Sequence, residues 1–236
     1  MNSNTLPIIK IILASFAFAL THWKKIIKIS ILPILLALPL LSLSAELIES
    51  LSMLIKESAV VDPASMQLPD NTLIYSLLFL YGQANLSINM YRLAILGEQS
   101  VSWMPILKVK QIVSFIGLAF FINLATGIPL MLVNFFGLYF LIYFLLIPIV
   151  LNYINIAINQ PLKIKWNLGL ITQMNLFFLQ VILPMLIGTV INFIVVGAGL
   201  PSIVGLTVKV IIFYWTLINL ALCYQLITMP EKKSQS

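Results

Sequence analysis

Residues 110–163 read KQIVSFIGLAFFINLATGIPLMLVNFFGLYFLIYFLLIPIVLNYINIAINQPLK, with no charged side chain between the two terminal lysines. An α-helix crosses a bilayer with about 20 apolar residues, so a stretch of this length must cross at least twice. The whole chain has 236 residues, of which 61% are hydrophobic and 8% are charged. A soluble domain carries roughly 25% charged residues, so the composition excludes a soluble globular protein. The sequence therefore predicts an all-α polytopic membrane helical bundle, with residues 1–236 forming one integral membrane domain.

Hydropathy divides the chain into about six transmembrane helices, which pair as three hairpins. We predict spans at about 27–44, 72–91, 111–126, 130–156, 174–196 and 203–228. Gly127-Ile-Pro129 and Gly197-Ala-Gly-Leu-Pro201 are predicted turns within the second and third hairpins, because glycine and proline favour tight turns. Residues 46–71 form the only sizeable polar loop, and its first part predicts a surface helix. Pro33 and Pro39 in the first span predict a bent helix.

Residues 6–22 are predicted to form an amphipathic helix in the membrane interface, ahead of the first span. Their apolar run is short for a crossing and is interrupted by Lys10, which would point to water together with His22. No basic residue precedes the run, and Lys24 and Lys25 follow it, so we do not expect a cleaved signal peptide. If the run did cross, the chain would have seven spans and an external amino terminus.

The basic residues orient the chain in the membrane. When the amino terminus is placed in the cytoplasm, the inner segments contain every basic residue except Lys56 and Lys209. The positive-inside rule then predicts that both termini are cytoplasmic. We expect a location in the cell inner (cytoplasmic) membrane, with anionic lipids as partners, because lysines beside apolar segments attract anionic head groups. The orienting and lipid-binding lysines account for the net charge of +6, so we expect no binding to nucleic acid.

A similar pattern recurs in the three hairpins. Each begins with lysines beside a tryptophan, which is Trp23, Trp103 or Trp166. The second span of each hairpin ends in an amide-bearing stretch, at 85–92, 152–159 or 219–225. The pattern indicates either three parallel repeats about an axis along the membrane normal or only the interfacial residues that any six-helix protein needs. The sequence leaves both interpretations open.

Sequence motifs of catalysis are missing from the chain, and we expect neither an enzyme nor a cofactor. There is no HExxH, GxSxG or phosphate-binding glycine loop. The only histidine is His22 and the only cysteine is Cys223, so we expect no metal site. No Asp or Glu lies in a predicted span, and ion-coupled transport is disfavoured because such residues usually carry the proton or sodium ion.

Two polar stripes are the candidate functional feature. Asn85, Asn89 and Arg92 share one helical face at the end of the second span, and Asn152, Asn155 and Asn159 share another at the end of the fourth. If the stripes face each other, Arg92, Asn89, Asn155 and Asn159 would form a cytoplasmic vestibule that contacts an anionic ligand or head group. The alternative is that Arg92 extends to the interface while the amides hold the hairpins together.

The amphipathic 6–22 segment, the proline-containing first span and the sequence Asn89-Met-Tyr-Arg-Leu-Ala-Ile-Leu-Gly-Glu98 resemble the bacterial YciC-type family of uncharacterised six-helix inner-membrane proteins. The resemblance implies an envelope or cytoplasmic-membrane protein without a known reaction and supplies no catalytic residues. We therefore expect a non-enzymatic multi-pass inner-membrane protein with an envelope-related or lipid-related role. A small-solute permease or channel is the alternative expectation, and an intramembrane enzyme is the third.

Overall fold

Helices account for nearly all of the regular structure in this chain. A computed structural model describes residues 6–43, 69–102, 108–133, 136–166 and 168–228. The helices are α1 (Ile8–Thr21), α2 (Trp23–Ser42), α3 (Thr72–Leu96), α4 (Val109–Val133), α5 (Phe136–Val150), α6 (Asn152–Ala157), α7 (Leu170–Phe177), α8 (Leu183–Gly197) and α9 (Ser202–Thr228). Most of the predicted 46–71 loop, including its surface helix, and Trp103 lie outside the described residues.

Within the described residues, five helical stretches are long and apolar enough to cross a membrane. They are Trp23–Ser42, Val109–Pro129, Gly137–Ala157, Leu170–Gly197 and Ile203–Thr228. Their exposed surfaces carry large apolar side chains, which are suited to contact with lipid tails. The prediction of an all-α membrane helical bundle is confirmed.

Helix α3 contains the remaining predicted span and lies in the middle of the bundle. It has 25 residues, but its second half includes Gln83, Asn85, Asn89 and Arg92, which lower its hydropathy. Between positions 82 and 91 every side chain except Gln83 is buried. Helices α2, α4, α6 and α9 all pack against α3. Protein therefore surrounds the polar half of this helix, which explains how a less apolar segment can occupy the centre of a membrane bundle.

Helix α2 approaches α3 closely at Gly82. A Cβ atom at this position would lie 3.2 Å from the carbonyl oxygen of Pro33 and 3.4 Å from the Cβ of Leu36. The absence of a side chain at Gly82 thus permits the contact, as small residues do at many membrane helix interfaces. Pro33 and Pro39 both lie inside α2. The bend predicted from them stays a prediction.

The predicted turn at Gly127-Ile-Pro129 is wrong. Helix α4 continues from Val109 to Val133 and includes both Gly127 and Pro129. A proline removes only one intrahelical donor, and such residues are tolerated in membrane helices when neighbouring groups compensate. Away from water, continuing the helix satisfies more backbone groups than an open turn would, so local turn propensity did not decide this position.

The predicted turn from Gly197 to Pro201 is confirmed. Helix α8 ends at Gly197 and α9 begins at Ser202. Gly199 has a φ of 62°, which suits a residue without a Cβ atom. The amide of Leu200 donates to the carbonyl of Val195 over 2.9 Å, and that of Gly199 donates to Val196 over 3.2 Å. This pair of bonds is a Schellman motif, which satisfies carbonyls at the end of a helix.

The span predicted at 174–196 begins earlier, at Leu170, and contains a wide turn. Residues Phe178–Ile182 form a π-helical segment between α7 and α8. Pro184 follows within the first residues of α8. Because its ring would meet the carbonyl four residues earlier and it cannot donate a hydrogen bond, a wider turn relieves the conflict.

Helix α1 is tied to the bundle at both ends and at its middle. The carbonyl of Leu6 accepts a bond from Asn175, in the last turn of α7, over 3.0 Å. Trp215 donates to Ser15 over 2.7 Å, and His22 contacts Glu98 over 2.8 Å. The large apolar side chains on its exposed face are Ile9, Leu13, Phe16 and Leu20. Their helical spacing suits a lipid-facing stripe, but the location of this helix in the membrane interface stays a prediction.

Candidate functional site

Six helix ends lie at one end of the molecule, which we call the basic end. Helices α2, α4 and α7 begin there, and α3, α6 and α9 finish there. The described lysines at this end are Lys24, Lys25, Lys28, Lys108, Lys110, Lys163 and Lys165. Membrane orientation remains a prediction, in which this end faces the cytoplasm.

Arg92 connects α3 to α6 and α4. Its Nε donates to the carbonyl of Ala157, the last residue of α6, over 2.8 Å. Its Nη2 donates to Oε1 of Gln111 over 3.0 Å. A cation is favourable beside the carbonyl end of a helix, where unpaired acceptors and the negative end of the dipole lie. Arg92 therefore acts as a cap on α6 and does not simply extend towards the membrane surface.

Gln111 completes this connection and was missed by the sequence analysis. Its Nε2 donates to the carbonyls of Ile156 over 2.6 Å and of Ala157 over 2.9 Å. The side chain is only 5% exposed, so these bonds satisfy a buried amide. Its position beside Lys110 in the first turn of α4 is the only sequence signal that could have suggested a site at the helix end.

The side-chain amides of Asn152 and Asn155 on α6 form hydrogen bonds with each other and with neighbouring segments. Asn155 donates to Asn152 over 3.0 Å, and its Oδ1 accepts a bond from the hydroxyl of Tyr224 over 2.7 Å. Asn152 in turn holds the backbone of Lys163, giving one bond to its carbonyl and taking one from its amide, each over 2.8 Å. These bonds position the segment that follows α6 against the end of α9.

A third hydrogen bond, between α9 and α3, completes the connections among the ends of α3, α6 and α9. Nε2 of Gln225 on α9 donates to the carbonyl of Ala94 on α3 over 2.9 Å. With Arg92 joining α3 to α6 and Tyr224 joining α9 to α6, the three helix ends form a closed ring of hydrogen bonds. The second helices of the three predicted hairpins thus meet through their amide-bearing ends, as a parallel repeat would allow. Whether the hairpins are true repeats stays a prediction.

The four predicted contact residues occupy different environments. Asn89 is 2% exposed and donates to Asn85 over 3.1 Å, and Asn155 is 0% exposed. Their bonding matches the alternative in which amides hold helices together. Arg92 is half-buried in its cap, whereas the side chain of Asn159 is exposed. The structure therefore brings Arg92 and α6 together but does not place all four side chains around one open space.

Asn159 terminates α6 through its backbone. It has a φ of 58°, its amide donates to Ile156 over 3.2 Å, and the amide of Gln160 donates to Asn155 over 2.7 Å. This is a second Schellman motif, in which asparagine takes the left-handed position usually filled by glycine. The spacing that suggested a ligand contact thus also reflects a helix ending.

Two open cavities flank the segment between α6 and α7. One has a volume of about 640 Å³, with Lys108, Lys110, Gln111, Asn159 and Gln160 among its lining residues. We call it the first basic cavity.

The second basic cavity has a volume of about 480 Å³ and is lined by Lys163, Lys165, Trp166, Leu168, Ile227 and Thr228. The ammonium of Lys163 lies 5.1 Å from the centre of the Trp166 ring, within the range of a cation–π contact. Each basic cavity combines two lysines with polar or aromatic groups, an arrangement suited to binding an anion.

Asn219 differs from the other buried amides. It is 0% exposed, and its Nδ2 and Oδ1 have no hydrogen-bond partner within the part of the chain that the structure describes. Cys223, one turn later on α9, is also fully buried.

Metal ligands and comparisons with known proteins give no further assignment. Among residues 6–43, 69–102, 108–133, 136–166 and 168–228, no group of three His, Cys, Asp or Glu side chains could hold a metal ion. The resemblance to the YciC-type family stays a prediction. No protein-family model, curated protein or solved structure matches this chain.

Proposed function

We propose that this chain is a non-enzymatic multi-pass protein of the cell inner membrane that binds anionic lipid head groups at its basic end, in an envelope-related or lipid-related role. The observation that carries the proposal is the presence of two cavities there, each lined by a pair of lysines. A phosphate needs positive charge and hydrogen-bond donors, and these cavities supply both.

The first basic cavity has the more rigid support. Gln111 lines it and is fixed by bonds to Ile156 and Ala157. The same Gln111 receives a bond from Arg92, so the arginine positions one wall without itself lining the cavity. Asn159 also lines this cavity. The predicted contribution of Arg92 is therefore indirect, through Gln111 and the end of α6.

A small-solute permease or channel has less support. The polar groups that suggested a solute path were the amides of α3 and α6. Asn89 is bonded to Asn85, while Asn155 is bonded to Asn152 and Tyr224. Amides used in this way hold helices together and would have to exchange partners to carry a solute.

The proposal is tested by native mass spectrometry of the purified full-length protein with phosphatidylglycerol or phosphatidylcholine. Replacing both Lys108 and Lys110 by Gln should weaken phosphatidylglycerol retention about thirtyfold, because each lysine near anionic lipid contributes roughly 1 kcal/mol. The matched control replaces Lys24 and Lys25 by Gln, which also lie at the basic end but line neither cavity.

Specific binding predicts a larger loss for the cavity pair than for the control pair and little retention of phosphatidylcholine. Equal losses in the two pairs would show only general attraction between basic residues and anionic lipid. Unchanged retention in all variants would reject the proposal. The Lys163 and Lys165 pair, changed in the same way, reports on the second basic cavity.

A further inference from the structure

A separate cavity lies between α3, α4, α6 and α9 and extends from Tyr91, next to Arg92, into the bundle. It has a volume of about 380 Å³. Its lining residues include Gln83, Tyr91, Phe115, Ala119, Tyr153 and Phe213. We call it the inter-helix cavity. No charged residue is among those that line it.

Uncharged donors without partners distinguish this cavity from ordinary packing space. Tyr91 is only 3% exposed, yet its hydroxyl has no hydrogen-bond partner among the described residues. The hydroxyl of Tyr153 and the amide of Gln83 also lack one within those ranges. Gln83 and Tyr153 are half-buried, and their donors, with the Tyr91 hydroxyl, are open to the cavity that they line. Three such donors around one cavity suit a ligand that accepts hydrogen bonds.

The walls of the cavity are strongly aromatic. The Phe115 ring centre lies 6.3 Å from that of Tyr91 and 4.8 Å from that of Tyr153. Phe120 and Phe213 add two further rings to the lining. Aromatic groups prefer stacked or edge-on contacts with other flat rings, so these walls suit a planar ligand better than a flexible acyl chain.

The inner part of the cavity, away from Tyr91, is unsuited to a charged head group. Gln83 is close to the middle of the 25-residue α3, and Phe213 is close to the middle of the 27-residue α9. In a membrane-spanning bundle this level lies in the hydrocarbon region, where a charge is costly. The occupant must therefore be neutral and lipid-soluble, with a small polar part.

We propose that the inter-helix cavity binds the ring of a neutral lipid-soluble quinone, whose carbonyl oxygens accept hydrogen bonds from Tyr91, Tyr153 and Gln83. The volume of about 380 Å³ falls at the lower end of the roughly 300–1,000 Å³ found for small-molecule sites, which suits a single ring. The tail would leave between the helices into lipid. This binding is independent of the anionic head groups proposed at the basic end.

The test measures saturable binding of tritium-labelled decylubiquinone to the full-length protein in phosphatidylcholine nanodiscs. The double variant Tyr91→Phe with Tyr153→Phe removes two donors and keeps both rings. It should weaken binding about tenfold, since each net hydrogen bond contributes roughly 0.5–1.5 kcal/mol. Tyr143→Phe is the matched control, because Tyr143 does not line the cavity and its hydroxyl has no described partner.

A second variant fills the space and does not depend on hydrogen bonding. Ala119→Phe places a ring inside the cavity and should abolish decylubiquinone binding while retention of phosphatidylglycerol is unchanged. The proposal is overturned if the wild type shows no saturable binding, if the double tyrosine variant binds as the wild type does, or if dioctanoylglycerol displaces the probe as well as unlabelled decylubiquinone does.

Discussion

Nε of Arg92 lies 2.8 Å from the carbonyl oxygen of Ala157, and this bond joins the central helix α3 to the last residue of α6. The bond between Arg92 and Ala157 brings together the ends of two predicted spans that are far apart in the sequence. It also places a cation where the end of α6 presents its unpaired acceptors.

Arg92 should be more important for stability than a surface-exposed arginine. We expect Arg92→Gln to lower the free energy of unfolding by about 2 kcal/mol, because hydrogen bonds of a charged group contribute roughly 1.5–3 kcal/mol. Arg92→Lys should restore only part of this, since lysine lacks the planar fork that reaches both Ala157 and Gln111. Unfolding can be followed by thiol labelling of the buried Cys223. Full rescue by lysine would contradict the capping role.

Asn159 allows its backbone and side-chain roles to be separated. Asn159→Gly should leave stability unchanged, because glycine adopts a positive φ readily, whereas Asn159→Val should cost about 1–2 kcal/mol. If the side chain also contacts a head group, Asn159→Gly should reduce phosphatidylglycerol retention without changing the unfolding midpoint. A fully stable Asn159→Val variant would show that the left-handed conformation does not determine stability.

Gly82 should not tolerate a methyl group. Alanine is about 1 kcal/mol better than glycine inside a helix, but a Cβ here would lie 3.2 Å from the Pro33 oxygen, a backbone atom that cannot easily move. We expect Gly82→Ala to lower the unfolding midpoint and Gly82→Val to lower it further. Gly117→Ala is the control, because a Cβ at that position meets nothing within 4 Å. A higher unfolding midpoint for Gly82→Ala than for Gly117→Ala would reject close packing of α2 on α3.

Asn219 is expected to behave unlike Asn155. Asn219→Leu should leave stability unchanged or raise it by about 1 kcal/mol, because an apolar group of similar size replaces an amide with no described partner. Asn155→Leu should lower stability by roughly 1–3 kcal/mol, since it removes the buried hydrogen bonds of Asn155 to Tyr224 and Asn152. A strongly destabilised Asn219→Leu variant would indicate that the amide binds a buried water molecule or another group.

Membrane orientation can be measured with reporter fusions. Fusions after Gly97 and Pro161 should report the cytoplasm, because most of the described lysines lie at the same end of the bundle as these two positions. A fusion after Gly199, at the other end, should report the outside. Fusions of alkaline phosphatase and green fluorescent protein at each position give opposite signals and control each other. An external signal at Gly97 would reverse the proposed orientation of the basic end.

The fold class was accessible from the sequence because it depends on a property summed over many residues. The uncharged stretch from 110 to 163 alone requires helices, since lipid offers no partners for backbone groups. The Gly197 to Pro201 turn was also predictable, because a positive φ there depends on a local glycine. The Gly127 to Pro129 turn failed because the same residue types can remain inside a helix when the surroundings exclude water.

The partners of individual side chains were decided by the tertiary structure. The sequence placed Asn85, Asn89 and Arg92 on one face, but it contained no signal that Arg92 would bond to Ala157 or that Tyr224 would bond to Asn155. Likewise, periodicity could not show that Tyr91 and Tyr153 line one cavity. Hydropathy and local turn chemistry follow from residue type, whereas hydrogen bonds between helices depend on rotation and depth, which are set only when the helices pack together.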